Sequence, residues 1–176
     1  MIPALAIPAK SLNRPLLILA ASVAVLGAAL AFQYWGGLAP CELCLYQRYP
    51  YGATIALSLV ALVLPEGRPR AYALLACGLA FAIGCGIAIF HVGVEHHWWQ
   101  GTAACTGNID LSGTMSLQEL EQRIMSTPVA RCDRIAWSLF GVSMAGYNAL
   151  VSFALSVFAL DCARHERDEA RPRARS

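Results

Sequence analysis

Four long apolar stretches divide the sequence, and polar and charged residues collect in the segments between them. They span about residues 15–34, 45–64, 71–94 and 137–160, and none has an acidic residue in its interior. Each reaches the roughly 20 residues that an α-helix needs to cross a hydrocarbon core about 30 Å thick. A segment inside lipid must satisfy its own backbone hydrogen bonds, so the pattern predicts four transmembrane helices.

Composition agrees with this pattern. The chain is 57% hydrophobic and only 14% charged over 176 residues, and a soluble globule of this size could not hide so much apolar surface. We therefore expect an all-α membrane protein, a four-helix transmembrane bundle that forms a single domain over residues 1–176. A large multidomain enzyme is excluded by length, and the expected surroundings are a lipid bilayer, with no nucleic-acid partner.

The basic residues predict the orientation. The N-terminal segment, the loop 65–70 and the tail 161–176 hold nine of the 13 Lys and Arg residues. The positive-inside rule places these segments, and so both termini, in the cytoplasm. Segments 36–44 and 95–136 then face outward, which in a bacterial inner membrane is the periplasm.

The second outward loop carries one local pattern. Ser116 and Glu119 have the spacing of a capping box, and Leu117, Leu120 and Ile124 follow at helical period. The pattern predicts a short amphipathic helix, either flat on the membrane or folded onto the loop.

Seven cysteines sort by compartment. Three lie in or beside the predicted helices, where we expect ordinary packing residues: Cys77, Cys85 and Cys162. Four fall on the outward, oxidising side, where two disulfides could form: Cys41, Cys44, Cys105 and Cys132.

The sequence Pro40-Cys41-Glu42-Leu43-Cys44 stands where the first outward loop meets the second helix. A helix N-terminus favours a thiolate, and Arg48 lies on the face of Cys44 one turn later, where it could stabilise negative charge. The motif alone leaves three alternatives open: a redox pair, half of a metal site, and a static disulfide. Cys105 and Cys132, if joined, would close about 28 residues in either a structural or an exchangeable disulfide.

Polar residues also collect at the outer end of the third helix, where His91 and Glu95 share a face and precede His96 and His97. They could coordinate a metal or donate hydrogen bonds to an acceptor at the interface. The alternative is an interfacial polar cap with the two adjacent tryptophans as an aromatic belt. Gln33, near the outer end of the first helix, is a further candidate.

Taken together, these features resemble the disulfide bond formation protein B (DsbB) family, inner-membrane proteins that reoxidise the periplasmic dithiol oxidase DsbA and reduce quinone. The resemblance covers about residues 15–160. It rests on the four helices, the run from Cys41 to Arg48 (CELCLYQR), the loop with Cys105 and Cys132, and Gly141-Val142-Ser143-Met144 at the fourth helix.

The resemblance implies a function. Cys41, Cys44, Cys105 and Cys132 would be catalytic, with Cys105 forming the mixed disulfide with a DsbA-like partner. Electrons would pass to the first pair and then to the membrane quinone pool, with ubiquinone favoured over menaquinone. The quinone would lie near Cys44 and Arg48, with His91 and Glu95 close by, and Gln33 is counted with them as a candidate cofactor-binding residue. Position 95 is glutamate here, where the best-known family member has glutamine.

Two alternative hypotheses for the function remain open. A membrane metal-binding or transport protein could use Cys41, Cys44, His91 and His96, and it would not depend on the second cysteine pair. A vitamin K epoxide reductase-like enzyme shares the chemistry, but its Cys-x-x-Cys motif normally comes later in the bundle.

Overall fold

The computed structural model describes residues 9–102, 105, 118 and 130–170. These residues form helices α1 (Ala9–Tyr34), α2 (Glu42–Tyr46), α3 (Arg48–Val63), α4 (Arg68–Glu95) and α5 (Met144–Glu169). An antiparallel hairpin of β1 (Ser138–Leu139) and β2 (Val142–Ser143) precedes α5. The chain is mostly helical, as predicted. Gln118 is helical, but the rest of the predicted amphipathic helix lies outside the described residues.

Three described helices are long and apolar enough to cross a membrane, namely α1, α4 and α5. Their outer faces expose large apolar side chains such as Ile83 and Phe153, which are 63% and 62% exposed. In a lipid bilayer, unlike in water, exposing such apolar surface costs no free energy. Helix α3 has 16 residues, which at 1.5 Å per residue is roughly 24 Å, shorter than the hydrocarbon core.

The second predicted helix, residues 45–64, is divided in two at Gln47. Pro50 explains the break. It has no N–H to offer the carbonyl of Tyr46, and its ring crowds that carbonyl, so a continuous helix is interrupted there. The break sets α2, which carries the Cys-x-x-Cys motif, apart from the longer helix α3.

The prediction that the fourth helix starts at Trp137 is wrong, because α5 begins at Met144. Phe140 and Gly141 have φ values of 50° and 78°, which both positions of a tight hairpin turn require. Ser143 then caps α5 by accepting a hydrogen bond from the Gly146 N–H. The residues of this hairpin are as apolar as those of a transmembrane helix, so hydropathy alone did not separate the hairpin from α5.

The tail predicted at 161–176 begins as a continuation of α5, which ends at Glu169. Glu166 is buried there, and its carboxylate pairs with Arg14 at 3.3 Å and with Arg70 at 3.8 Å. It also accepts a hydrogen bond from the Gly67 N–H at 3.2 Å. These partners hold the end of α5 against α1 and the start of α4.

Small and polar residues bring the helices together in the interior. Gly78 lies against Leu160, and Ser156 donates to the Gly78 carbonyl at 2.9 Å, so α4 and α5 approach closely. Ser22 and Thr54 share a buried hydrogen bond of 2.9 Å between α1 and α3. Close packing of small residues and interhelical hydrogen bonds are the usual means of association within membranes.

Candidate functional site

The two outward cysteine pairs lie side by side. Cys41, Cys105 and Cys132 belong to one buried cluster, and Cys44 packs against it. Cys105 and Cys132 form a disulfide. Cys41 and Cys44 are free, with their sulfur atoms 2.7 Å apart. All four cysteines singled out in the sequence therefore converge at one end of the bundle.

The first pair takes its geometry from the start of α2. Cys41 is the N-cap residue, and its sulfur accepts a hydrogen bond from the Cys44 N–H at 3.3 Å. The hydrogen bond from the Cys41 thiol, helped by the charge of Arg48, lowers the pKa of Cys44 to about 7, although burial opposes it. The same hydrogen bond, together with burial, raises the pKa of Cys41. Cys44 is thus the more acidic thiol of the pair.

His91 and Glu95 lie beside this pair at the end of α4, and both are buried. The His91 Nε2 atom is 3.5 Å from the Cys41 sulfur and 4.0 Å from Glu95 Oε1. Ser143 donates a hydrogen bond to Glu95 Oε2 at 2.5 Å. The residue that caps α5 therefore also holds the glutamate in place.

Arg48 and Gln33 meet across the gap between α3 and α1. One guanidinium nitrogen of Arg48 donates to Gln33 Oε1 at 2.6 Å. The two residues that the sequence separated by a whole loop are therefore neighbours. Arg48 is also close enough to Cys44 for its charge to lower the pKa of that thiol.

A cavity of about 360 Å³ opens beside these groups. Val25, Ala29 and Val151 contribute to its largely apolar walls. Its polar lining includes Gln33, Cys41, Cys44, Arg48, His91 and Glu95. An apolar cavity with a few convergent polar groups is typical of a site for a small, largely apolar ligand. Such a ligand would meet the thiol of Cys44 and the charge of Arg48.

Three residues of the site had not been singled out in the sequence: Gln47, Tyr51 and Asn148. Gln47 lies 2.8 Å from His91 Nδ1 and accepts from Asn148 at 2.5 Å. Tyr51 donates to Asn148 at 2.6 Å. Their signal in the sequence was the presence of polar side chains in apolar stretches, which is costly in a membrane and usually functional.

The predicted metal ligands come together only in part. The ligand atoms of Cys41, Cys44 and His91 all lie within 4.8 Å of one another. His96 is not part of this group among the described residues; it is exposed and stacks on Trp98 with ring centres 5.4 Å apart. His97 has a positive φ of 57° and is also exposed.

Comparisons with known proteins agree on one family. The family model described as "Disulfide bond formation protein DsbB" matches residues 13–162. A Disulfide bond formation protein B of Methylobacillus flagellatus is 31% identical over 150 residues, covering 84% of this chain and 89% of the relative. One of Xanthomonas campestris is 33% identical over 145 residues, with 80% and 83% covered.

An uncharacterized protein of Rickettsia prowazekii is 31% identical over 149 residues, which are 85% of this chain and 84% of the relative. No solved structure matches the chain.

Proposed function

The chain belongs to the disulfide bond formation protein B (DsbB) family of membrane proteins, and from this premise we propose that it oxidises a DsbA-like periplasmic protein and reduces membrane quinone. The observation that carries the proposal is the convergence of both cysteine pairs in one cluster, of which Cys41 and Cys44 line the cavity. Thiol–disulfide exchange needs sulfur atoms that can meet in line, and this arrangement brings two exchangeable pairs into one cluster.

The first exchange takes electrons from the partner protein. A thiolate of the reduced partner attacks the Cys105 sulfur, and Cys132 leaves as a thiolate. The partner's second thiolate then attacks its own mixed-disulfide sulfur and releases Cys105. The partner leaves oxidised, and Cys105 and Cys132 remain as thiols. Both sulfurs are buried in this arrangement, so this attack requires the pair to leave the cluster.

The second exchange moves the electrons inward. The Cys132 thiolate attacks Cys41 in the oxidised Cys41–Cys44 pair, and Cys44 leaves as a thiolate. Cys105 then attacks Cys132 and releases Cys41, so that the second disulfide is restored and the first pair is reduced. The low pKa of Cys44 supports this direction of attack, because the more acidic thiol is the better leaving group.

The cavity fits a quinone in the chemistry of its lining. Apolar walls suit a ring and its hydrocarbon tail, while Arg48 and Gln33 offer polar contacts beside Cys44. A bound quinone accepts two electrons and two protons. Arg48 would hold negative charge on the Cys44 thiolate, and the buried pair of His91 and Glu95 would border the same space. Ubiquinone is the favoured acceptor, with menaquinone the alternative.

Under the same proposal, α2 and α3 together form the fourth membrane-spanning segment. Leu59 and Val63 on α3 are 50% and 82% exposed, and such an apolar surface is favourable in lipid. With both termini in the cytoplasm, the two cysteine pairs would lie on the periplasmic side of the inner membrane, where the partner protein is found.

Quinone reduction by the purified protein in detergent, driven by a reduced DsbA-type protein, tests the proposal. We expect turnover with the wild type and none with Cys44→Ser or Cys105→Ser. Cys85→Ser is the matched control, because Cys85 lies on α4 with its thiol directed to the Ala149 carbonyl. Turnover that persists without either catalytic cysteine would contradict the relay.

Metal binding is a second candidate, favoured by the proximity of Cys41, Cys44 and His91. Two thiolates and an imidazole are suitable zinc ligands. This function predicts stoichiometric metal in the purified protein, measured by mass spectrometry, that is retained in Cys105→Ser. Metal-free wild type with quinone turnover would exclude it.

A further inference from the structure

A chain of buried and partly buried hydrogen bonds runs from the interior of the bundle to Cys41. Its members lie on α3, α4 and α5, at Gln47 between α2 and α3, and at Cys41 just before α2. In order they are Ser152, Tyr51, Asn148, Gln47, His91 and Cys41. Only the last two belong to the cysteine chemistry proposed above.

The chain has a direction, which the orientations of the Asn148 and Gln47 amides set, because each amide has one accepting oxygen and one donating NH₂ group. Tyr51 donates its O–H to Asn148 Oδ1 at 2.6 Å, so the other end of that amide is its NH₂ group. Asn148 Nδ2 donates to Gln47 Oε1 at 2.5 Å. Gln47 must therefore present its own NH₂ group to His91 Nδ1, which lies 2.8 Å away.

This direction determines the tautomer of the histidine. Nδ1 accepts a hydrogen bond from Gln47, so the proton of neutral His91 is on Nε2. Nε2 faces the Cys41 sulfur at 3.5 Å and Glu95 Oε1 at 4.0 Å. Both are acceptors of an N–H when ionised. The acceptors around Nε2 therefore agree with the tautomer that the Gln47 hydrogen bond to Nδ1 requires.

We propose that Gln47 and Asn148 are positioning residues that hold His91 as the Nε2–H tautomer, so that the ring donates a hydrogen bond to Cys41. The catalytic consequence rests on the proposed function: when exchange releases Cys41 as a thiolate, an N–H is already directed at the sulfur. No proton needs to move in this step. A histidine held in this form also cannot use Nε2 as a metal ligand, because that atom has no free lone pair.

Nitrogen-15 NMR of histidine side chains in the detergent-solubilised protein tests the assignment directly, because the two tautomers have distinct ring shifts. The chain has four histidines, and the signal missing from His91→Gln identifies His91. We expect the Nε2–H pattern in the wild type. An Nδ1–H pattern there would overturn the inference without any variant.

Two variants test the chain itself. In Gln47→Glu, measured at about pH 8, where a carboxylate is ordinarily ionised, the new side chain only accepts, so His91 should change to Nδ1–H. Ser152→Ala is the matched control: Tyr51 keeps its bond to Asn148, and the tautomer should stay the same. A Gln47→Glu protein that keeps the Nε2–H pattern would count against Gln47 as the residue that sets it.

The kinetic readout separates this inference from the proposed function. We expect the transfer between the two cysteine pairs, followed by stopped flow, to slow about tenfold in Gln47→Glu, as for loss of one hydrogen bond to a charged group, here the thiolate. An unchanged rate with a reversed tautomer would remove the positioning role. Wild type with the expected tautomer but no turnover would contradict the proposed function and leave the tautomer assignment intact.

Discussion

Cys41 and Cys44 lie within one helical turn of each other but differ in acidity. The pKa of Cys44 is lowered to about 7, first by the hydrogen bond from Cys41, while the pKa of Cys41 is raised. The thiolate is the form that reacts with alkylating agents. In the reduced protein we therefore expect alkylation of Cys44 by iodoacetamide to be half-maximal near pH 7 and to fall below it, with Cys41 protected throughout.

Mass spectrometry of the alkylated peptides measures this profile. Cys41→Ala removes the hydrogen bond and should move the Cys44 profile to higher pH. Equal reactivity of the two cysteines across the range would contradict the assigned asymmetry.

Arg48 acts on the same thiol from the cavity side. Its guanidinium bonds to Gln33 at 2.6 Å and contributes to the low pKa of Cys44. For Arg48→Ala we expect the KM for quinone to rise about tenfold, as for loss of a hydrogen bond from a charged group. Steady-state turnover over a range of quinone concentrations measures it.

Arg131→Ala is the matched control for Arg48. Arg131 also lines the cavity, but its guanidinium is paired with Asp133 at 2.6 Å and is partly exposed. We expect its quinone KM to stay near that of the wild type. Equal effects of the two substitutions would show that general cavity charge, not the position of Arg48, supports binding.

Much of the site could be predicted at the residue scale, but not all of it. The spacing of Cys41, Cys44 and Arg48 depends only on helical periodicity, so the sequence contains it. The roles of Gln47 and Asn148 depend on how α5 is rotated against the start of α3, which 101 residues of separation do not encode locally. Partners across helices are decided by packing.

The same limit applies at the scale of elements. Apolar runs predicted that helices exist, because their length and composition suffice for that. They misplaced the start of α5, since the hairpin before Met144 is as apolar as a helix, and they missed the break that Pro50 introduces at Gln47. Local backbone geometry decides these boundaries, and hydropathy does not report it.

Helix α5 also carries a charge that the sequence pattern placed in the cytoplasmic tail, residues 161–176. Glu166 is buried with Arg14 and Arg70, whereas Glu169 is mostly exposed. Glu166→Gln removes the buried carboxylate that Arg70 meets inside the bundle at 3.8 Å, and breaking a buried ion pair is costly, so it should lower the free energy of unfolding by about 3 kcal/mol. Thermal unfolding in detergent measures it.

Glu169→Gln is the control for Glu166, one turn later on the same helix and paired with the same Arg14. As an exposed pair it should change stability by less than about 1 kcal/mol. Equal losses in the free energy of unfolding for Glu166→Gln and Glu169→Gln would contradict the view that burial makes the Glu166 ion pair stronger.

At the scale of the whole molecule, the two ends of the bundle carry different groups, redox-active cysteines at one end and buried ion pairs at the other. The cysteine pairs and the cavity occupy one end, and the Arg14, Arg70 and Glu166 cluster occupies the other. Helices with apolar outer faces connect them. The proposed exchange with a periplasmic partner therefore requires one orientation, with the ionic cluster on the cytoplasmic side.

Reporter fusions to the full chain test that orientation. Alkaline phosphatase must form disulfides to be active and so works in the periplasm, while green fluorescent protein fluoresces in the cytoplasm. With basic residues concentrated at both ends of the chain, the positive-inside rule predicts cytoplasmic termini. We expect a fluorescent C-terminal fusion and an inactive phosphatase fusion, and the same pair of results at the N-terminus.

Insertion of the phosphatase after Gly37, in the first outward segment, is the matched control and should be active. Active phosphatase at both termini would place the cysteine pairs in the reducing cytoplasm, where their disulfides would not persist. The exchange with a periplasmic partner would then fail, even if the purified protein still reduced quinone.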